Sequence, residues 1–140
     1  MSVSRGSPRH ILVDTLGLVL SAAVHAADIQ DHDGASRVLD KKTRALFPFI
    51  VRVFADAGYR GARAALAAAR SGDWIIEIVQ RNELRTFVVL PKRWIVERTI
   101  AWLNRCRRLA KDWENLNRKA LTFLRLASIR LMLRKLCNPA

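Results

Sequence analysis

Two cysteines in 140 residues are too few for a disulfide framework, and Cys106 and Cys137 lack the spacing of a zinc site. Both fall in apolar helical patterns and read as core thiols suited to a reducing compartment. No uncharged stretch is long enough to span a bilayer. The chain has no Walker-type loop, nucleophile elbow or cysteine–histidine metal pattern, so the signatures of those nucleotide, acyl-transfer and zinc chemistries are absent. Internal repeats, low-complexity tracts and interdomain linkers are missing too. The length suits one domain and is short for two. Acidic side chains are also scarce: 12 Asp and Glu stand against 25 Lys and Arg, leaving a net charge of +13 and a pI near 11.3.

What is present is a foldable and very basic chain. Hydrophobic residues make up 51% and charged residues 26%, which supports a core and excludes global disorder. The positive charge is concentrated in the second half, where residues 71–140 hold 15 basic and 6 acidic side chains, against 10 and 6 in residues 1–70. Such an excess points to a polyanionic partner, nucleic acid first, with an acidic membrane or protein surface as the alternative. The N-terminal run "SRGSPRHILVDTLGLVLSAAVHAAD" loosely mimics a secretory signal. Asp14 and Gly17 interrupt it, and its β-branched residues fit buried strands better. A secreted basic protein is thus a third, remote reading.

"HILVDTL" and "LVLSAAVHAA" predict two strands forming a hairpin around Gly17. "DIQDHDGA" reads as an acidic loop, with Asp33 able to cap a helix over "ASRVLDKKTRAL" that Pro48 ends. "FIVRVFADAGYRG" gives a short strand running into Asp56 and a glycine-rich turn. "ARAALAAARS" reads as a helix closed by Gly72. "DWIIEIVQR" and "RTFVVLP" read as strands joined near Asn82 and Glu83. After Pro91 the chain turns helical, with a break near Asn115–Asn117. This order predicts an α/β sheet flanked by helices. The last segment, "RKALTFLRLASIRLMLRKL", is apolar around most of its circumference and interrupted by Arg125, Arg130 and Arg134. It reads as a packed or partner-binding helix, not a membrane span.

One carboxylate stands out in "LPKRWIVERTIAWLNRCRRLAKDWE". At about 100° per residue, Ile95, Thr99, Trp102, Cys106, Leu109 and Trp113 gather opposite Glu97, with Leu103 close by. Arg93, Asn104, Arg108 and Lys111 share the Glu97 side. The plain reading is a first-turn glutamate favoured by the helix dipole and paired with Arg93. Asp56 has a plain reading too, as a turn-initiating aspartate before Gly58. It also ends a strand, where ligand-binding residues of open α/β sheets lie. If strand end and helix start adjoin, Asp56 and Glu97 can jointly hold Mg²⁺, a cation that prefers hard oxygen ligands. His10, His25 and His32 have no ligand-like spacing and read as ordinary histidines.

Three segments, "RHILVDTLGLVLSAAVHAADIQDHDGA", "ADAGYRG" and "LPKRWIVERTIAWLNRCRRLAKDWE", together resemble bacterial insertion-sequence transposases of the DDE type, nearest to insertion sequence family five. The likeness runs in order from Arg9 to the C-terminal helix. It implies a ribonuclease-H-like fold in which two Asp and one Glu bind divalent metal, Mg²⁺ or Mn²⁺, for DNA strand cleavage and strand transfer. By motif, Asp56 matches the second aspartate, Glu97 the glutamate, and Arg93 the arginine of the Arg-x-x-x-Glu signature. Related groups carry a tyrosine near position 90 and a lysine near 104; here these are Leu90 and Asn104, and Arg105 is a candidate replacement cation.

The family's first catalytic aspartate lies on a strand upstream of "RHILVDTLG", whereas this chain begins "MSVSRGSP". Asp14 matches a non-catalytic aspartate and substitutes only if the hairpin brings it beside Asp56. The resemblance therefore implies an incomplete ribonuclease-H-like α/β fold: residues 1–8 a non-matching leader, 9–114 a partial catalytic domain, 115–140 a basic helix of the same domain. Catalytic and metal-binding roles fall to Asp56 and Glu97, and DNA backbone contacts to Arg93, Arg98, Arg105, Arg107, Arg108 and Lys111. Expected partners are insertion-sequence ends and target DNA, with a second copy or the rest of the transposase, in the cytoplasm and without membrane. The fragment is expected to be inactive alone. The rival function is a non-catalytic DNA-binding regulator of the intact enzyme.

Overall fold

The structure, a computed structural model, describes residues 9–25, 31–56, 59–61, 66, 69–70, 72, 74–79, 93–106 and 117–138. The chain opens with the expected hairpin. Strand β1 (Arg9–Val13) pairs antiparallel with β2 (Val19–Val24), His10 facing Ala23 and Ile11 facing Ala22 across the ladder. Asp14 builds the turn: its Oδ1 accepts the Leu16 and Leu18 N–H groups at 2.9 and 2.8 Å. Gly17 completes it at φ +82°, a left-handed conformation that costs glycine little. A Cβ there would also lie 2.7 Å from the Thr99 hydroxyl, so turn and neighbouring helix both require glycine.

The helical stretch after the hairpin divides in two, α1 (Asp31–Val38) and α2 (Lys41–Leu46), where one helix from Ala35 to Leu46 was predicted. Asp33 lies inside α1; the capping aspartate is Asp40. Its backbone is extended (φ −87°, ψ 170°), and its carboxylate accepts the Thr43 N–H at 2.7 Å. A side chain that offers the backbone an acceptor outside the helical ladder ends one helix and starts the next. Phe47, ahead of Pro48, closes α2 in a non-helical conformation, as a residue before proline prefers.

The Thr43 hydrogen bond, chiefly from its backbone N–H, holds the Asp40 carboxyl below the ordinary aspartate value. A depressed carboxyl pKa stabilises the fold above the unfolded pKa, and that stability is lost as pH falls through the folded value. Asp40→Ala should therefore cost about 1 kcal/mol near neutral pH. Urea midpoints of the two proteins should converge in acid, once both folded and unfolded carboxyls are protonated.

Strand β3 (Arg52–Ala55) pairs in parallel with β4 (Ile75–Ile78), Val53 opposite Ile76. The expected single sheet is thus, among the described residues, two separate two-stranded sheets. The predicted strand "RTFVVLP" lies outside the described residues, as does most of the predicted helix "ARAALAAARS". Two helices follow, α3 (Arg93–Asn104) and α4 (Asn117–Cys137).

Neighbouring residues on a strand point to opposite faces, and β1 uses both. Ile11 joins a core of Val24, Leu103, Ala120, Leu124 and Ala127, which seats α3 and α4 against the hairpin. Leu12 joins a second core of Leu39, Val53 and Trp74, which ties β3 and the α1 end to the other face. Helix α4 buries Ala120, Leu124, Ala127 and Ser128, while Leu126, Ile129, Leu133 and Leu136 remain exposed. No helix among the described residues is long and apolar enough to cross a membrane.

Candidate metal and DNA site

Asp56 follows the last residue of β3, its side chain exposed. Its carbonyl accepts the Tyr59 N–H at 3.1 Å, so the chain turns tightly just past the strand. The Tyr59 hydroxyl then pairs with His10 Nδ1 on β1. Through Tyr59, the Asp56 turn is fastened to the open end of the hairpin.

Glu97 is exposed on α3, while Ile95, Thr99 and Leu103 on the opposite side are buried. Trp102 and Cys106, predicted for the buried face, are half-buried; Leu109 and Trp113 lie outside the described residues. Thr99 sets the helix in place. Its fully buried hydroxyl lies 2.8 Å from the Gly17 carbonyl and 3.0 Å from the Ile95 carbonyl, two acceptors for its single proton. Glu97's helix is thereby pinned to the hairpin turn, the end opposite His10 and Tyr59.

The cations around the turn are engaged. The Arg98 guanidinium lies between Trp94 and Trp102, 4.4 and 4.6 Å from their ring centroids, and its Nη2 donates to the Leu16 carbonyl at 3.3 Å. Lys135 Nζ donates to the same carbonyl at 2.6 Å and stands 4.6 Å from the Trp102 centroid. Cation–π contacts of this kind hold a charge against an aromatic face while leaving part of it wet. Arg98 thus helps lock α3 onto the hairpin. Arg105, just past α3, and Asn104 are exposed. The Arg93 side chain, Arg107, Arg108 and Lys111 lie outside what the structure describes.

Asp14 is occupied with its turn, at the hairpin end away from the Asp56 anchor. Exposed Asp and Glu oxygens are the right donors for a hard divalent cation. Among the described residues, no group of three or more His, Cys, Asp or Glu side chains is placed to hold a metal. Donor chemistry therefore fits such an ion, while a full set of ligands is not gathered within the described part of the chain.

The contacts that fix the Asp56 turn show no ligand-like spacing in the sequence. His10 and His25 are 4% and 0% exposed, and their Nε2 atoms approach to 2.5 Å. The signal was in the hairpin register: with His10 opposite Ala23, His25 falls just beyond the ladder on the same side.

A family model described as a transposase DDE domain matches residues 4–132. Neither the curated proteins nor the solved structures contain a match.

Proposed function

Because the chain belongs to the transposase DDE domain family, whose members generally use divalent metal ions, we propose that it is part of the catalytic domain of an insertion-sequence transposase, of insertion sequence family five. By motif, Asp56 and Glu97 are two of its metal-binding carboxylates; their anchors lie at opposite ends of the hairpin, His10 for the Asp56 turn and the Gly17 carbonyl for α3. The observation that carries this reading is the placement of Glu97. It is exposed on the side of α3 opposite the buried Thr99, inside a domain-length family match. That face leaves its carboxylate open to solvent, as a ligand that must meet an ion and DNA has to be.

When bound, Mg²⁺ or Mn²⁺ supplies polarisation of the scissile phosphodiester and of the attacking oxygen, water or a DNA 3′-hydroxyl. The protein's own groups hold and orient. Arg93, Arg105, Arg107, Arg108 and Lys111 hold backbone phosphates, which set DNA position without reading sequence. Arg98 contributes through the edge of its stacked guanidinium, at the cost of less freedom to follow a phosphate. The partners on this reading are insertion-sequence ends and target DNA in the cytoplasm, with a second copy or the remainder of the transposase completing the assembly.

These 140 residues hold counterparts of the second aspartate and the glutamate, and Asp14 is taken up by its turn. Purified chain should therefore bind duplex DNA without nicking it in Mg²⁺ or Mn²⁺. Binding should weaken with salt at a log–log slope of about −0.9 per phosphate neutralised. Mn²⁺ should tighten DNA binding by the wild-type chain and fail to do so for Asp56→Ala and Glu97→Ala. Mn²⁺-independent binding, unaltered by either substitution, would instead identify a non-catalytic DNA-binding regulator. Robust nicking lost in Glu97→Ala would show that the chain is catalytically sufficient.

A further inference from the structure

We propose that His25, His10 and Tyr59 form a positioning chain that sets the turn presenting Asp56, with Tyr59 the residue that transmits it. The inference rests on the reading of Asp56 as a metal ligand, and it reaches residues outside the carboxylate set.

The path is continuous. The His25 ring lies nearly parallel to that of His10, 17° between planes and 4.6 Å between centroids, with the two Nε2 atoms 2.5 Å apart. His10 Nδ1 pairs with the Tyr59 hydroxyl, whose ring stands edge-on to His10 at 83° and 5.7 Å. The Tyr59 N–H closes on the Asp56 carbonyl. A third element fixes the middle of the chain: Gly34 of α1 lies so close that a Cβ on it would fall 2.4 Å from His10 Nε2 and 2.5 Å from Cδ2. His10 is thereby gripped by β2's end, by α1 and by the residue that folds back on Asp56.

Proton counting explains why this arrangement positions as well as packs. A neutral imidazole offers one donor and one acceptor nitrogen. If His10 Nε2–H donates to His25, then Nδ1 accepts from the Tyr59 hydroxyl. If His25 donates to His10 instead, then Nδ1–H donates to the tyrosine oxygen. Either way one proton occupies the gap between the two Nε2 atoms, and its placement dictates the direction of the Tyr59 hydrogen bond. Burial of the two imidazoles makes a misdirected bond between them expensive, since water cannot replace the missing partner. The tyrosine ring is consequently held in one place, and its backbone N–H with it.

Tyr59→Phe in the 140-residue chain removes the hydroxyl and keeps the ring. The Tyr59-position amide should exchange its hydrogen about tenfold faster, while the urea midpoint moves little. Mn²⁺ affinity, read from water-proton relaxation, should fall about tenfold, the usual loss when a group supporting a metal ligand is removed. His10→Gln, which keeps a nitrogen toward His25 and gives up Tyr59, should reproduce both changes with the tyrosine intact, and it serves if Tyr59→Phe does not fold. Unchanged amide exchange in these variants overturns the chain. Weaker Mn²⁺ binding in Asp56→Ala together with full binding in Tyr59→Phe overturns its positioning role. Faster amide exchange, with Mn²⁺ binding indifferent to both Tyr59→Phe and Asp56→Ala, supports the anchoring and overturns the ligand reading of Asp56 instead.

Discussion

Leu124→Ala should cost about 3 to 5 kcal/mol of stability, measured as a shift in urea denaturation. Leu124 is 2% exposed and belongs to the core where β2, α3 and α4 meet. Removing its branched end forfeits the transfer energy of the buried carbons and opens a hole. Val24, Leu103 and Ala120 can fill that hole only by moving elements that hydrogen bonds hold at the hairpin turn. Domains of this size are stable by about 5 to 15 kcal/mol, so the loss takes a large share of the total. Leu126→Ala is the internal comparison. It lies two residues along the same helix but is 55% exposed, and it should change stability by roughly 0.5 kcal/mol or less. Equal losses at the two positions would mean that α4 does not seat on the hairpin as described.

Gly34→Ala should destabilise by about 1 kcal/mol, against the sign that helix propensity gives. Alanine within α1 would ordinarily gain about 1 kcal/mol over glycine. Here the added methyl would press against three atoms of the His10 ring, and the ring has little room to retreat while it touches both His25 and Tyr59. Overpacking of a buried site typically costs 1–3 kcal/mol, which outweighs the propensity gain. A double-mutant cycle separates the two effects. In a His10→Ala background the clash is gone, and Gly34→Ala should become neutral or mildly stabilising. If Gly34→Ala stabilises the wild-type chain by urea denaturation, the packing of α1 on His10 is wrong.

The contrast between these elements explains how much could be read in advance. The hairpin was legible because alternating β-branched residues and a central glycine are local signals. The solvent side of α3 was legible for a similar reason, since a helical wheel needs only spacing. The split at Asp40 was harder to see: Asp33 and Asp40 offer the same capping chemistry, and what separates them is where the chain leaves helical geometry. Contacts across long sequence distances left no local trace. Arg98 read as a phosphate-binding cation, and only the folded arrangement places it between two tryptophans and over the Leu16 carbonyl. His10 read as ordinary because its partners, Tyr59 and Gly34, are remote in the chain. The positions of Asp56 and Glu97 were named from their motifs; Tyr59 and Thr99 stand in those motifs, but their partners His10 and the Gly17 carbonyl are remote in the chain.

The hairpin turn is made early in the chain and completed late. Its Gly17 carbonyl is met by a hydroxyl 82 residues on, and its Leu16 carbonyl by an ammonium group 119 residues on. At roughly 5–20 residues per second of synthesis, one face of the hairpin waits about 6 to 24 s for its cover. Until then Ile11, Val19 and Ala22 lack the helices that cover them in the folded chain. Loop-closure entropy then sets the pace, because ordering the last helix against the first strands must precede most of its reward. A chain ending short of Lys135 would leave the Leu16 carbonyl with Arg98 as the remaining one of its two cations.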